Sequence, residues 1–173
     1  MDVSKLDAAK RQLETAINLF FAYGDPVSIH TLTAAAHELL RDTGKGAGVS
    51  SVIKDQMAEH IRPERRTEYV TTINEAENYF KHADRDPKKL LSFNPLTTTW
   101  LIWDAIEMYH ALTSEITGIM LTMKAWFFVK NPELLTDAMR VGLAPIAGQL
   151  NPDNRERFRA LTPMIESIKT GGK

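Results

Sequence analysis

Residues 64–83 read ERRTEYVTTINEAENYFKHA, and within them Tyr69, Ile73, Ala76, Phe80 and Ala83 advance by four, three, four and three residues. Steps of three and four keep these apolar side chains on one face of a helix, whereas a strand needs alternation. The stretch predicts an amphipathic helix from about Glu64 to Ala83. Thr71, Glu75, Asn78 and His82 then fall almost opposite the apolar stripe.

The same spacing extends outward in both directions. Leu6, Ala9, Leu13, Ala16, Ile17 and Phe20 predict a helix over about Ser4–Tyr23, and Ile29, Leu32, Ala36, Leu39 and Leu40 a second over about Pro26–Asp42. Thr43–Gly48 holds three glycines and reads as a loop. A weaker third helix covers about Val49–His60 and stops at Arg62-Pro63. Beyond the quoted stretch, Asp84–Asn94 reads as the longest loop. Pro95–Val129 is helical with a break near Leu112–Glu115, Asn131–Val141 is a short helix, and Asn151 onward is a last one disturbed at Pro163. Five of the eight prolines follow Asn or Asp, at Pro26, Pro87, Pro95, Pro132 and Pro152. Asn and Asp accept an orphan N–H at a helix start, and proline has none to lose there, so each pair marks a helix start or a turn.

No segment alternates as a strand does. The expected fold is all-α, a single-domain bundle of about seven to eight helices spanning residues 1–173, with a tail frayed from about residue 170. The chain length suits one domain with a core of its own. There is no cysteine, which excludes disulfides, thiolate metal sites and a cysteine nucleophile. Lys and Arg number 21 against 22 Asp and Glu, without the basic excess of a duplex-binding protein. The N-terminus carries no signal-peptide pattern, and charges interrupt the most apolar region, Leu96–Val129, so a cytoplasmic protein without a membrane partner is expected.

Motif chemistry is sparse. His37-Glu38 lacks the second histidine of a zinc-protease helix, and His30 and His37 lie about 10.5 Å apart along the axis at ~1.5 Å per residue, too far to share one metal. Glu107-x-x-His110 has the spacing of a di-iron ligand pair but occurs once, where a bundle site needs two copies. Trp100, Trp103, Asp104, Glu107 and His110 instead read as a polar and aromatic helix face. The loop Gly44–Ser51 precedes a helix but lacks the strand before it and the Lys-Ser/Thr after its last glycine that a phosphate loop requires. No Gly-x-Ser-x-Gly is present. The sequence calls for no metal and no cofactor, and does not mark the chain as an enzyme.

The run Glu77-Asn78-Tyr79-Phe80-Lys81-His82 resembles the motif of the HEPN superfamily, in which an Arg, often followed by Asn, precedes a His near a helix end. The family consists of small helical bundles, often dimers, many of them metal-independent ribonucleases. The resemblance implies His82 as general acid/base and Asn78 as the residue that holds the phosphate or orients the imidazole. Glu77 stands where the motif has Arg, and a carboxylate repels a transferring phosphate. Arg85, or Arg65 and Arg66, would then have to supply the cation. Glu77 and Lys81, four residues apart, read as ordinary surface pairing. The chain as a whole also resembles small single-domain bacterial helical proteins.

Two further groups are candidates for contacts. Arg155 and Arg159 share a helix face around Phe158 and form a candidate nucleic-acid patch. Trp126, Phe127 and Phe128 are consecutive and cover most of a helix circumference, which implies burial with some contribution to an interface. With Trp100 and Trp103 they form the candidate interaction set. The leading expectation is a domain acting through protein contacts, as a homo-oligomer or with another protein. The alternative is a HEPN-like ribonuclease or RNA-binding module.

Overall fold

The computed structural model describes residues 1–82 and 87–171, and among these the chain is helical with no strand, the all-α bundle that the periodicity predicts. The first helix, α1 (Lys5–Phe21), opens on a capping box: Ser4 Oγ accepts from the Asp7 N–H at 3.0 Å, and the Ser4 N–H donates to Asp7 Oδ2 at 3.2 Å. Its buried face is Ala9, Leu13, Ala16, Ile17 and Phe20, the residues read from the spacing, joined by Phe21. The turn after it places Tyr23 at a φ of 53°, and Asp25 caps α2 (Pro26–Gly44) by accepting from the Ser28 N–H at 2.7 Å. This short connection folds α2 back against α1, the most extensive helix pairing in the bundle.

The glycine segment is a tight closure rather than an open loop. α2 runs on to Gly44, whose carbonyl accepts from the Val49 N–H at 3.0 Å, and Gly48 sits at a φ of +70°. A Cβ on Gly44 would lie 2.5 Å from the Val49 carbonyl oxygen, so the approach needs glycine at that position. The expected third helix is split into a π-helical turn over Val52–Gln56 and a single turn, α3 (Met57–His60). At the start of this wide turn the Val52 N–H, which has no partner within the helix, donates to Asp104 Oδ1 of a distant segment at 2.9 Å.

Pro63–Lys81 forms α4, close to the expected range; Ala83, its expected end, and Asp86 of the Asp86-Pro87 pair lie outside the described residues. The apolar region divides into α5 (Leu96–Thr113) and α6 (Gly118–Lys130) at the expected break, with Ser114 left-handed at φ 56°. A 3-10 turn (Pro132–Leu134) precedes α7 (Asp137–Ala147), which begins later than Asn131 because that asparagine's side chain turns back to the Phe127 carbonyl instead of capping forward. The last segment is two helices, α8 (Arg155–Arg159) and α9 (Thr162–Gly171), with Pro163 in the first turn of α9, where its missing N–H costs nothing. Gly172 and Lys173 of the expected frayed tail lie outside the described residues.

The core lies among α1, α2, α5, α6 and α8, around Leu13, Ile17, Leu40, Ile106, Met123 and Phe158. α4 is different. It touches α2 and α3 but does not pack closely on α5 or α6. Its apolar stripe of Tyr69, Ile73, Ala76 and Phe80 is only half-buried. No helix among the described residues is long and apolar enough to cross a membrane.

Candidate functional site: an apolar cavity beneath α4

Where α4 stands away from α5 and α6, a cavity of about 720 Å³ opens, well within the size range of small-molecule sites. α4 supplies Tyr69, Thr72, Ile73 and Ala76 as one wall. The facing wall is aromatic: Trp100 and Trp103 from α5, and Phe127 and Phe128 from α6. The Trp103 ring stacks on Phe127 with centroids 5.6 Å apart, and Trp100 meets Phe127 edge-on at 5.0 Å. Leu134 and Met139 form a rim at which both remain about half-exposed. Among the described residues no Asp, Glu, Lys or Arg lines the cavity.

One ionisable group of α2 stands in the wall. His30 is 1% exposed; its Nδ1 is 2.9 Å from Thr98 Oγ1 of α5, and its Nε2 has no hydrogen-bond partner among the described residues. The Phe80 and Phe93 rings meet the imidazole edge-on at 5.7 and 5.1 Å and fix its plane. Burial pushes the His30 pKa below its ordinary value, against a smaller opposing pull from Glu77. Trp103 Nε1, also buried in the wall, has no hydrogen-bond partner among the described residues.

Behind the wall, a polar cluster links the π-helical turn to α2, α4 and α5. Asp104 is 0% exposed and accepts from Ser51 Oγ at 2.5 Å, His37 Nε2 at 2.8 Å and the Val52 N–H. Burial alone would push this carboxyl up, but the hydrogen bonds from His37 and Ser51 outweigh it and hold the pKa below the ordinary value. Ser, His and Asp meet here without forming a nucleophilic triad. The hydroxyl donates to the carboxylate rather than to the imidazole, and all three side chains are sealed from solvent. Next to this cluster, Lys54 Nζ, itself buried, bridges Glu38 at 2.5 Å and Glu77 at 2.9 Å. Arg41 grips Asp55 through Nε at 3.0 Å and Nη2 at 2.6 Å. The Tyr69 hydroxyl donates to the Ile53 carbonyl at 2.7 Å and ties α4 to the same turn.

Glu77 corrects one sequence expectation. The Glu77–Lys81 pair reads as ordinary surface pairing, but Glu77 is the buried residue of α4 and is held by Lys54 as well as by Lys81 at 2.6 Å. Burial would raise its pKa, and the two lysine hydrogen bonds bring it below the ordinary value instead. Asn78 and His82 are both exposed, His82 as the C-cap of α4, and Arg85 lies outside the described residues.

Four members of the interaction set, Trp100, Trp103, Phe127 and Phe128, come together in the cavity wall. Trp126, the fifth, is 2% exposed and donates to the Pro152 carbonyl at 2.8 Å; Phe127, within the wall, is covered by its neighbours and fully buried. Neither presents an outer surface to a partner. Arg155 and Arg159 separate. The Arg155 guanidinium lies 4.0 Å from the Phe20 ring centroid and donates to the Phe20 carbonyl at 3.3 Å, while Arg159 stays exposed. Glu107 pairs with Lys124 at 2.6 Å, and His110 Nδ1 lies 3.2 Å from the Glu115 carbonyl. Among the described residues no group of three His, Asp or Glu side chains is placed to hold a metal.

His30, Ser51 and Thr98 escaped the sequence reading. The one available signal was the pairing of His30 and His37 on a single α2 face. Both imidazoles are buried there, each serving a different polar partner on α5. Compared with family models, curated proteins and solved structures, the chain matches none, so the function of the cavity rests on its own geometry.

Proposed function

We propose that this domain is a receptor for an apolar small molecule held in the cavity between α4 and the aromatic wall of α5 and α6. The observation that carries the reading is the cavity itself, about 720 Å³ of space whose wall contains Trp100, Trp103, Phe127, Phe128 and Ile73 and, among the described residues, no Asp, Glu, Lys or Arg. Apolar surface left uncovered inside a bundle forfeits both the hydrophobic gain and the dispersion contacts of packing. A ligand that fills it recovers both. The test is titration of the purified full chain with Nile red, a neutral dye whose emission rises in apolar surroundings. Saturable one-to-one binding with a change in the emission of Trp100 and Trp103 is the expected result. Thr72→Trp, which builds a bulky ring from the exposed side of α4 into the space, is expected to abolish it while leaving the circular dichroism unchanged. Absence of binding to the folded wild-type chain refutes the reading.

A second reading has its own observation. Met164 and Ile168, one turn apart on α9, are 54% and 69% exposed, which favours a contact with a second copy of the chain. Light scattering on a sizing column tests it: a dimer that Ile168→Glu converts to a monomer supports the contact, and a monomeric wild type refutes it.

A further inference from the structure

We propose that residues 136–149, which carry α7, are a flap that closes over the mouth of the cavity once a ligand is inside, and that Met139 is its contact with that ligand. The inference rests on the receptor reading above and adds how the site is closed.

The segment is held at its two ends. Before it, Leu135 is buried; after it, Leu150 packs against the core and the Pro152 carbonyl accepts from Trp126 Nε1 at 2.8 Å. Between these anchors α7 packs closely on no other helix among the described residues. Asp137, Ala138, Met139, Arg140, Val141 and Ala144 are all exposed. Yet the sequence of α7, DAMRVGLAPIA, is mostly apolar and carries two poor helix formers in its interior. Gly142 adds backbone freedom, and Pro145 has no N–H for the Val141 carbonyl. A helix of 11 residues is marginal in water even with good helix formers, and depends on packing one face.

The uncovered apolar surface beside α7 is the cavity. Leu134, Leu135, Thr136 and Met139 line it, so the first anchor of the segment and the start of α7 belong to its rim. Met139 is still 53% exposed there. Gly142 lies three residues on, on the same side of the helix, and a Cβ built on it would meet nothing within 4 Å. That side of α7 borders open space. Val141, two residues from Met139, is turned about 200° round the helix and is 75% exposed.

An empty cavity gives the flap little to close on. Across a void the side chains of α7 would find no partner atoms, and nothing would offset the conformational entropy of fixing the segment. A bound apolar molecule supplies those atoms. Closure then removes water from the exposed half of Met139 and from the outer surface of the ligand together. The ligand leaves slowly, because the flap must open first.

The test uses the full chain and Nile red. Dye emission reports binding, and hydrogen exchange followed by mass spectrometry reports the flap. With the dye at saturation, amides of residues 136–149 are expected to exchange about tenfold more slowly than in the free protein. Stabilisation of the whole fold does not mimic this, since amides that exchange by local opening do not follow global stability. In stopped flow, Met139→Ser is expected to speed dye dissociation about five- to tenfold, and Val141→Ser less than about twofold. Both side chains are exposed in the free protein, so both variants keep the fold. Bound dye with unchanged exchange over residues 136–149 overturns the proposal and leaves the receptor reading intact. The same holds if Met139→Ser releases the dye no faster than wild type, or if the two variants speed release equally. Failure of Nile red to bind the folded chain overturns both.

Discussion

Asp104→Asn is expected to loosen the segment that backs the cavity, and the size of the effect can be worked from the contacts. The carboxylate accepts three short hydrogen bonds, from Ser51 Oγ, His37 Nε2 and the Val52 N–H, and a longer one at 3.4 Å from the Ile53 N–H. An amide of the same shape has one acceptor oxygen. If that oxygen stays with Ser51 and His37, the new NH₂ faces the Val52 N–H, and two buried donors confront each other. Each buried group left unsatisfied costs roughly 1–3 kcal/mol, so the two together cost about 2–6 kcal/mol, a large share of the ~5–15 kcal/mol that holds a typical domain together. For a chain of this length, with a melting shift of about 2–4 °C per kcal/mol, that corresponds to a fall in Tm of about 10 °C. Thermal denaturation at pH 7 measures it, and hydrogen exchange localises it to the Val52 and Ile53 amides. A Tm within about 2 °C of wild type, with both amides still protected, would refute the view that this carboxylate anchors the π-helical turn. The pH dependence supplies a second check. The folded pKa of Asp104 lies below its ordinary value of 3.8, so its contribution to stability is full above about pH 4–5 and is lost as pH falls through the folded pKa. The variant lacks that contribution, so its Tm should fall less than the wild type's between pH 7 and pH 3. Glu77 and Asp55, also held below their ordinary values, keep the same sign in both proteins.

Three other perturbations follow from single contacts. Arg155→Ala removes a guanidinium seated over Phe20 and hydrogen-bonded to its carbonyl, and is expected to lower stability in urea by about 1–2 kcal/mol, whereas Arg159→Ala should change it by less than about 0.5 kcal/mol. Equal effects would show that Arg155 does not clamp α8 to α1. Gly44→Ala places a Cβ against the Val49 carbonyl and should cost about 1–3 kcal/mol, read as a lower urea midpoint at unchanged slope; no change would mean the closure can relax. Lys54→Met leaves Glu38 and Glu77 without their shared cation and should cost about 3–5 kcal/mol, most of which Lys54→Met with Glu77→Leu recovers. A double variant no more stable than the single one would mean that the ion pair does not set the position of α4.

The cavity was half legible before any coordinates. Tyr69, Ile73, Ala76 and Phe80 announced a helix with an apolar face, and Trp100, Trp103, Phe127 and Phe128 stood out as aromatic candidates for contact. Periodicity reports which side chains share a face, and it does not report what the face meets. The stripe of α4 looks the same in sequence whether it closes on a core or borders an open space. Glu77 was misplaced for a related reason. At two residues from Tyr79 and three from Phe80 it read as a solvated neighbour of Lys81, because the partner that buries it, Lys54, is 23 positions earlier in a turn of unusual geometry. The His30–Thr98 pair, 68 residues apart, left no local trace.

Local chemistry in the sequence was enough for the helices themselves. Three- and four-residue spacing, the Ser4–Asp7 capping box and the Asp25-Pro26 start act within a turn or two, so they are written in consecutive residues. The geometry of the turn after Ser51 and the place of α4 were decided only in three dimensions. Both involve a buried charge or carboxylate that finds its partner across the bundle. Asp104 accepts from the Val52 N–H at the start of the π-helical turn, and Lys54 ties Glu77 of α4 to Glu38 of α2. The physical reason is that helix propensity is a short-range property of the chain. The free energy of satisfying a buried polar group depends on which distant segment can bring the complementary atom, and folding alone settles that.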